Sequence, residues 1–320
     1  MKSKKSWIMK VIAIIFVLSV SITFAINTVI ANNVISSMAD VRVEINDKMF
    51  EEYELIGEQI EVISNDGLKI NAYIFPNNHS KGNVLILHGM HGMDASSLFD
   101  YAKFIYDAGF TPVNIDMRAH GKSEGESLSF GYNEVYDVDA VITYLKEDQR
   151  FKEVPIILYG LSMGGSTAIN TAANSEHVDG VIAVSPFMSI QNQVADYMAR
   201  DGMPAIFIKV FQPSVNLVLS HKFDVSPKKE TPVNSIRNLP NMPILIIHGD
   251  EDTQTAVYQA KSLYESSSSD KTEIWIVEGK DHLIVEDVLD DKSGFYREKI
   301  INFLELIQEK VIVNYSIIEF

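Results

Sequence analysis

The sequence contains no cysteine among its 320 residues. This absence excludes disulfide bonds, thiolate-bound metals and a cysteine nucleophile. Basic residues are also scarce, because 27 lysines and arginines stand against 43 acidic residues and the formal net charge is -16. A chain this acidic does not attract the phosphates of DNA or RNA, so we do not expect nucleic acid as a partner. The sequence also has no internal repeat.

What the chain does have is ample material for a globular core. Its hydrophobic fraction is 46% and its charged fraction is 22%, which are ordinary values for a soluble domain. A length of 320 residues accommodates one large domain or two small ones.

The N-terminus differs from the rest of the chain. Lys2, Lys4, Lys5 and Lys10 are its first charges, and the uncharged residues 11–31 that follow are long enough to span a bilayer as a helix. Because such lysines stay in the cytoplasm, a retained helix would place the body outside it. We therefore expect residues 1–35 to form a single-pass membrane anchor in the cell membrane. The alternatives are secretion after signal cleavage near Ala25 or Ala31, and a buried helix of a soluble protein.

Residues 36–57 are polar and mixed, and they are expected to form a juxtamembrane linker or a short helix. Residues 58–320 carry a pattern of strands and helices. Segments 58–63 and 68–75 alternate apolar and polar residues around Asp66-Gly67, which predicts a hairpin. Further strands are predicted at 83–87, 111–115, 154–159, 178–184, 243–247 and 272–277. Helices are predicted at 96–108, 133–146, after residue 162, at 255–266 and at 293–310. This alternation is typical of an α/β fold, with a mostly parallel sheet flanked by helices.

The pattern is interrupted between residues 186 and 240. This segment is rich in Met, Phe and Pro and shows no strand-like alternation. It predicts a helical cap insertion over the ends of the strands. Its methionines and aromatic residues could form a pliable apolar wall for an acyl chain, or they could simply pack the cap onto the sheet.

The stretch Gly160-Leu-Ser-Met-Gly164 lies between a buried apolar strand and a segment compatible with a helix. A serine on such a sharp turn is held in a strained backbone conformation with its hydroxyl pointing out of the sheet. Glycines two positions before and after it are needed because side chains there would crowd the turn. Ser162 is therefore a candidate nucleophile.

A serine nucleophile needs a base within hydrogen-bond reach. His282 follows the last predicted strand, at the sheet edge where functional residues of parallel sheets gather. His88 and His248 occupy His-Gly turns after other strands, and we expect them to pack there as structural residues. His120 is likewise expected to fix its loop.

The base in turn needs a carboxylate that orients it. Asp250 and Asp252 both follow the strand at 243–247. Asp250 directly follows a glycine and is expected to cap its own turn. Asp252, two residues further, can reach toward His282.

The oxyanion of acyl transfer needs two backbone amides. We expect one from Met163, which follows the candidate nucleophile, and the other from Met90 in the loop after the strand at 83–87.

From about residue 58 to 310 the chain resembles the alpha/beta-hydrolase superfamily. The motifs that carry the resemblance are His88-Gly-Met-His-Gly92, Asp116-Met-Arg-Ala-His-Gly-Lys-Ser123, Gly160-Leu-Ser-Met-Gly164, His248-Gly-Asp-Glu-Asp252 and Asp281-His282. The resemblance implies the alpha/beta-hydrolase fold with a Ser162, Asp252, His282 triad. It is strongest to the branch with monoacylglycerol-lipase-like, acyl-thioesterase-like and serine aminopeptidase-like members. The chain departs from the family at Thr255-Ala256, where Val-Pro is frequent, and at Ala119, where glycine is usual.

These observations together predict a serine hydrolase that cleaves carboxylic esters through an acyl-enzyme. Its partners would be a small-molecule ester or acyl substrate and the membrane that holds its N-terminal helix. No metal or organic cofactor is implied. An acyl-thioesterase or a serine peptidase with the same triad is the alternative among enzymes, and a catalytically silent binding module is the alternative outside them.

Overall fold

The structure is a computed structural model that describes residues 2–43 and 48–318. Within these residues, eight strands form one sheet in the order β1-β2-β4-β3-β5-β6-β7-β8. The strands are β1 (Glu58–Ile63), β2 (Lys69–Ile74), β3 (Asn83–Leu87), β4 (Thr111–Asp116), β5 (Ile156–Leu161), β6 (Gly180–Val184), β7 (Ile244–Gly249) and β8 (Thr272–Val277).

Strands β3 to β8 pair with one another in parallel, whereas β1 and β2 form an antiparallel hairpin at one edge. Every residue of the central strands β3, β4, β5 and β6 is buried. Strands buried on both faces are mostly apolar, which is why these segments read as short hydrophobic runs. Asn83, Asn114 and Asp116 are buried polar exceptions in β3 and β4. The predicted mostly parallel sheet is confirmed.

Helices cover both faces of the sheet. Two separate hydrophobic clusters form the core. One includes Val138 and Ile169, and the other includes Phe99 and Phe303. The flanking helices are α2 (Phe99–Asp107), α3 (Glu134–Glu147), α4 (Met163–Ala172), α8 (Tyr258–Ser266) and α9 (Gly294–Ile318).

Two helices begin later than the sequence pattern predicts. A 3-10 turn, Ala95–Leu98, precedes α2 because Asp94 caps it through the backbone N–H of Ser97. The predicted helix from residue 255 begins only at Tyr258, because the preceding residues form a loop around the side chain of Asp252.

The chain between β6 and β7 forms the predicted helical cap. Its helices are α5 (Ile190–Arg200), α6 (Ala205–Phe223) and α7 (Pro232–Ser235), and the described residues 186–240 contain no strand. Gln193 and Tyr197 of α5 line the same cavity as Ser162, so the cap lies over the carboxyl end of β5.

Helix α1 runs from Lys2 to Ala39. Its segment Ser6–Ala39 is long and apolar enough to cross a membrane, with a mean hydropathy of 2.4. Between Trp7 and Ile30 most of its large apolar side chains are exposed, whereas Ala31, Ile35 and Ala39 are fully buried. The predicted division at residues 1–35, 36–57 and 58–320 stays a prediction, although the helix continues past the first of these boundaries.

The buried end of α1 packs against α6 of the cap. Thr28 Oγ1 donates a hydrogen bond to Ser214 Oγ at 3.3 Å. Lys222 Nζ lies 2.8 Å from Asp40 Oδ2 and 3.3 Å from Ser36 Oγ. The segment expected to be a juxtamembrane linker or a short helix therefore begins as helix that packs on the cap.

Candidate active site

Ser162 stands alone between the end of β5 and the first residue of α4. Its backbone has φ 54° and ψ -116°, a conformation that residues other than glycine rarely adopt. Strain of this kind persists only where the surrounding structure imposes it, and it is frequent at functional sites. The turn between β5 and α4 thus has the geometry that the sequence pattern predicts.

The two glycines of the turn are required by close backbone contacts. A Cβ atom on Gly160 would lie 2.1 Å from the carbonyl oxygen of Gly164. A Cβ atom on Gly164 would lie 2.2 Å from the carbonyl oxygen of Leu87, at the end of β3. Both contacts are with backbone and cannot be relieved by a side-chain rotation, so the start of α4 can approach β3 only with glycine at these positions.

The residues expected to supply oxyanion amides flank Ser162. Met163 is the first residue of α4, where a backbone N–H has no acceptor within the helix. In the loop after β3, Gly89 packs against the serine, since a Cβ atom on Gly89 would lie 3.4 Å from Ser162 Cβ. The next residue, Met90, lines the same cavity as Ser162.

Asp252 and His282 are joined by a hydrogen bond. His282 Nδ1 lies 2.8 Å from Asp252 Oδ2, and the aspartate side chain is fully buried. The other oxygen, Oδ1, accepts from the backbone N–H groups of Gln254 and Thr255, each at 2.8 Å. Burial acts to raise the pKa of this carboxyl, but hydrogen bonds from His248 and His282 hold the pKa well below its usual range. Asp252 is therefore an anion that orients His282.

His248 has a more specific place than the strand-end packing expected for it. It is fully buried, and its Nε2 lies 3.1 Å from Asp252 Oδ2 and 2.9 Å from the carbonyl oxygen of Thr255. Both partners are acceptors, so Nε2 carries the proton. Two imidazoles thus share one carboxylate oxygen. The signal for this contact was the four-residue spacing of His248 and Asp252 across a tight turn.

Asp250 does not reach His282. Its Oδ1 accepts a hydrogen bond from the backbone N–H of Gly279 at 2.7 Å, so the expectation that it caps its own turn is wrong. Asp281 makes a similar link between the two loops, since its Oδ1 accepts from the N–H groups of His282 and Thr253. These contacts fix the loop after β7 to the loop after β8.

His88 and His120 form a buried pair with ring centroids 4.4 Å apart. His88 Nε2 accepts from the backbone N–H of Met117 at 3.0 Å, and His120 Nδ1 lies 2.8 Å from the carbonyl oxygen of Arg118. Burial lowers the pKa of His88 to about 4 and that of His120 to about 3. Both are neutral at physiological pH and hold the two loops together, in agreement with a structural role.

Ser162 and His282 open into one cavity of about 490 Å³. Its lining residues are Met38, Gly89, Met90, His91, Met93, Ser162, Phe187, Gln193, Tyr197, Gln254, Thr255, His282 and Leu283. None of these described residues is an aspartate or a glutamate. Met38 comes from the end of α1, and His91 Nε2 lies 2.6 Å from its carbonyl oxygen. The sequence pattern gave no sign that the N-terminal helix reaches the site.

Comparison with known families gives a match over the centre of the chain. The model of a family described as serine aminopeptidase, S33, matches residues 78–242. This stretch includes Ser162 and the whole cap, but it ends before Asp252 and His282.

Curated relatives and solved structures extend the similarity. The Bacillus subtilis protein YqkD is 27% identical over 73% of this chain and 76% of its own length. The Saccharomyces cerevisiae protein YNL320W, named as a membrane protein, is 27% identical over 68% of this chain and 70% of its own. The structure of the Pyrococcus furiosus esterase Pf2001 aligns with a TM-score of 0.65 and 20% identity, covering 83% of this chain and 98% of the esterase. That likeness establishes a shared fold.

The contact of Gly164 with β3 predicts a large loss of stability on substitution. Gly164→Ala places its methyl group against the Leu87 carbonyl and should lower the free energy of unfolding by about 3 kcal/mol or more. Gly294→Ala is the matched control, because its Cβ atom would meet nothing closer than Arg297 at 3.9 Å and alanine favours helices by up to about 1 kcal/mol. Urea unfolding of the full-length protein in detergent measures both. Equal midpoints for the two variants would contradict the steric account.

Proposed function

Because the chain belongs to the family described as serine aminopeptidase, S33, within the alpha/beta hydrolases, we propose that it is a serine hydrolase that cleaves carboxylic esters. One observation carries the proposal. The buried, anionic Asp252 orients His282 through a 2.8 Å hydrogen bond, and His282 opens into the cavity that also contains the strained Ser162.

In the proposed reaction, Ser162 Oγ attacks the acyl carbon of the ester. His282 takes the hydroxyl proton on Nε2, because Nδ1 already donates to Asp252. The negative charge that develops on the carbonyl oxygen is stabilised by the amides of Met90 and Met163. The partial positive charge at the N-terminus of α4 adds to this stabilisation.

Collapse of the tetrahedral intermediate expels the alcohol, which takes its proton from His282 Nε2. The acyl group is left on Ser162 as an ester. Water then attacks this acyl-enzyme while His282 acts as base again, and the carboxylic acid is released with Ser162 restored. His248 holds Asp252 in place during both steps, since its Nε2 lies 3.1 Å from the same carboxylate oxygen that accepts the hydrogen bond from His282 Nδ1.

The cavity lining supports an ester over an aminopeptide. An aminopeptidase must bind the charged α-ammonium group of its substrate, and a carboxylate is the partner that a buried ammonium requires. The described residues that line the cavity include no carboxylate, and five of them are Met, Phe or Leu. A neutral acyl group fits such a lining better. Peptide hydrolysis remains the second candidate because the family description names it.

We also propose that α1 anchors the protein in a membrane, with the catalytic domain outside the cytoplasm. The exposed apolar side chains of residues 12–30 support an anchor, and the lysines that precede them support this orientation. The name of the yeast relative agrees with a membrane location.

A fluorophosphonate probe tests the enzyme proposal. It should label the full-length protein and fail to label Ser162→Ala, because only an activated serine reacts with it. The wild type should also hydrolyse p-nitrophenyl esters faster than the matching aminoacyl p-nitroanilides. Labelling that survives in Ser162→Ala would refute the assignment of the nucleophile, and faster anilide hydrolysis would favour the peptidase.

Asp252 and Asp250 provide a matched pair of substitutions. Asp252→Asn keeps the size of the side chain but donates where His282 also donates, so kcat should fall by about two to four orders of magnitude with KM little changed. Asp250→Asn loses only part of a bond to Gly279 and should cost less than about tenfold. Steady-state kinetics on one ester measures both. An exchange of these two effects would make Asp250 the acid.

The anchor proposal predicts how the protein fractionates. Full-length protein should pellet with membranes and resist an alkaline carbonate wash, and protease added to intact cells should cleave the catalytic domain. A soluble extracellular product beginning near Ile26 or Asn32 would show instead that the residues before that start are a cleaved signal.

A further inference from the structure

Helices α1 and α6 enclose an apolar groove that is separate from the cavity at Ser162. The groove has a volume of about 680 Å³. Residues of α1, of α5, of the turn after α5 and of the first turns of α6 line it, and most of them are apolar. Within this set Asp201, at the turn between α5 and α6, is the only charged residue.

One stripe of α1 runs from this groove to the active-site cavity. Thr23, Asn27, Ile30 and Val34 line the groove, and Met38, four residues further on, lines the cavity. Residues spaced by three and four lie on a single face of a helix. The same face of α1 is therefore a wall of both spaces.

Helix α5 is the second wall that the two spaces share. Gln193 and Tyr197 line the cavity, whereas Val194 and Met198 line the groove. A chain passing from groove to cavity would thus move between α1 and α5, past Met38 and Met198. Methionine side chains are unbranched and adapt readily to such a passage.

The groove lies beside the part of α1 that is apolar enough for a membrane. Thr28 contacts Ser214 and Ser36 contacts Lys222, and each pair is separated by 186 residues. Two contacts with the same separation show that α6 runs parallel to α1 at a constant register. With equal rises per residue, the first turns of α6 lie level with residues 20–24 of α1, inside the uncharged stretch.

The first turns of α6 expose the side chains expected of a surface in contact with lipid. Ile206 and Phe207 are 63% and 61% exposed, and Val210 is also exposed. Lys209 is the charged residue among them, and its long side chain can extend toward the polar headgroups.

We infer that this groove binds the acyl chain of a bilayer lipid and guides it along α1 to Ser162. The inference deepens the proposed function and rests on it, because it makes the scissile ester that of a membrane lipid with a long acyl chain. The occupant is identified by the apolar lining, by the position of the groove beside the membrane helix and by the continuity of the α1 stripe with the cavity.

A binding experiment tests the groove without catalysis. A diazirine derivative of palmitic acid is added to full-length Ser162→Ala protein in phosphatidylcholine vesicles. The sample is irradiated with ultraviolet light, and the labelled peptides are mapped by mass spectrometry. We expect label on α5 between Val194 and Met198, which line the groove. Lipid that only surrounds the outward face of α1 would not label these residues. Ile30→Trp, which fills the groove, should reduce that labelling about tenfold, the effect of excluding roughly two methylenes. Val29→Trp is the matched control, because Val29 is 61% exposed and lies outside the groove lining.

The same substitutions in the active protein test delivery to Ser162. Ile30→Trp should lower the ratio of kcat/KM for p-nitrophenyl palmitate to that for p-nitrophenyl butyrate by about tenfold, whereas Val29→Trp should leave the ratio unchanged. Label confined to the outward face of α1, or an unchanged palmitate-to-butyrate ratio in Ile30→Trp, would overturn the inference. Hydrolysis of the butyrate ester would still uphold the proposed function in that case. Wild-type protein that hydrolysed neither ester but labelled on α5 would refute the esterase and support the acyl-chain site.

Discussion

The buried carboxylate of Asp252 is the interaction on which the candidate site depends. It accepts four hydrogen bonds, two from imidazoles and two from backbone N–H groups. An isolated buried carboxylate is strongly unfavourable, so these donors are what keep it ionised. These hydrogen bonds also shape the backbone around Asp252. Because Gln254 and Thr255 belong to the loop that surrounds the carboxylate, α8 begins only at Tyr258. The same anion thus fixes the loop after β7 and the ring of His282.

A second constraint is the closeness of α4 to β3. With glycine at positions 160 and 164, the helix begins almost in contact with the backbone of Leu87. This contact brings the loop that contains Met90 next to Ser162. The nucleophile and both expected amides are therefore positioned by backbone packing, which is rigid, and not by long side chains. Preorganised donors of this kind need little rearrangement when charge develops.

Much of the fold could be predicted from the sequence because its signals are local. Buried strands are recognised as runs of branched apolar residues, and the turn between β5 and α4 is recognised from the two glycines around Ser162. The contact of Asp252 with His282 was also expected, since parallel strands bring their carboxyl ends to one edge. Other features depend on tertiary contacts that leave no local pattern. The sequence allowed a linker or a short helix after the apolar stretch, but it gave no sign that α1 packs on α6. The position of Met38 at the cavity follows from that packing. His248 resembled other His-Gly turns until its distance to Asp252 was known.

The contacts between α1 and α6 bear on how the site opens. Lys222 Nζ contacts Asp40 and Ser36, and Thr28 donates a hydrogen bond to Ser214, so α6, the longest cap helix, is joined to α1 at two points along its length. Met38 on the same helix supplies part of the cavity wall. An outward swing of the cap must either break these ties or tilt α1 with it. Where α1 spans a bilayer, the thickness and lateral pressure of that bilayer then oppose or favour the tilt, and they become mechanical determinants of access to Ser162.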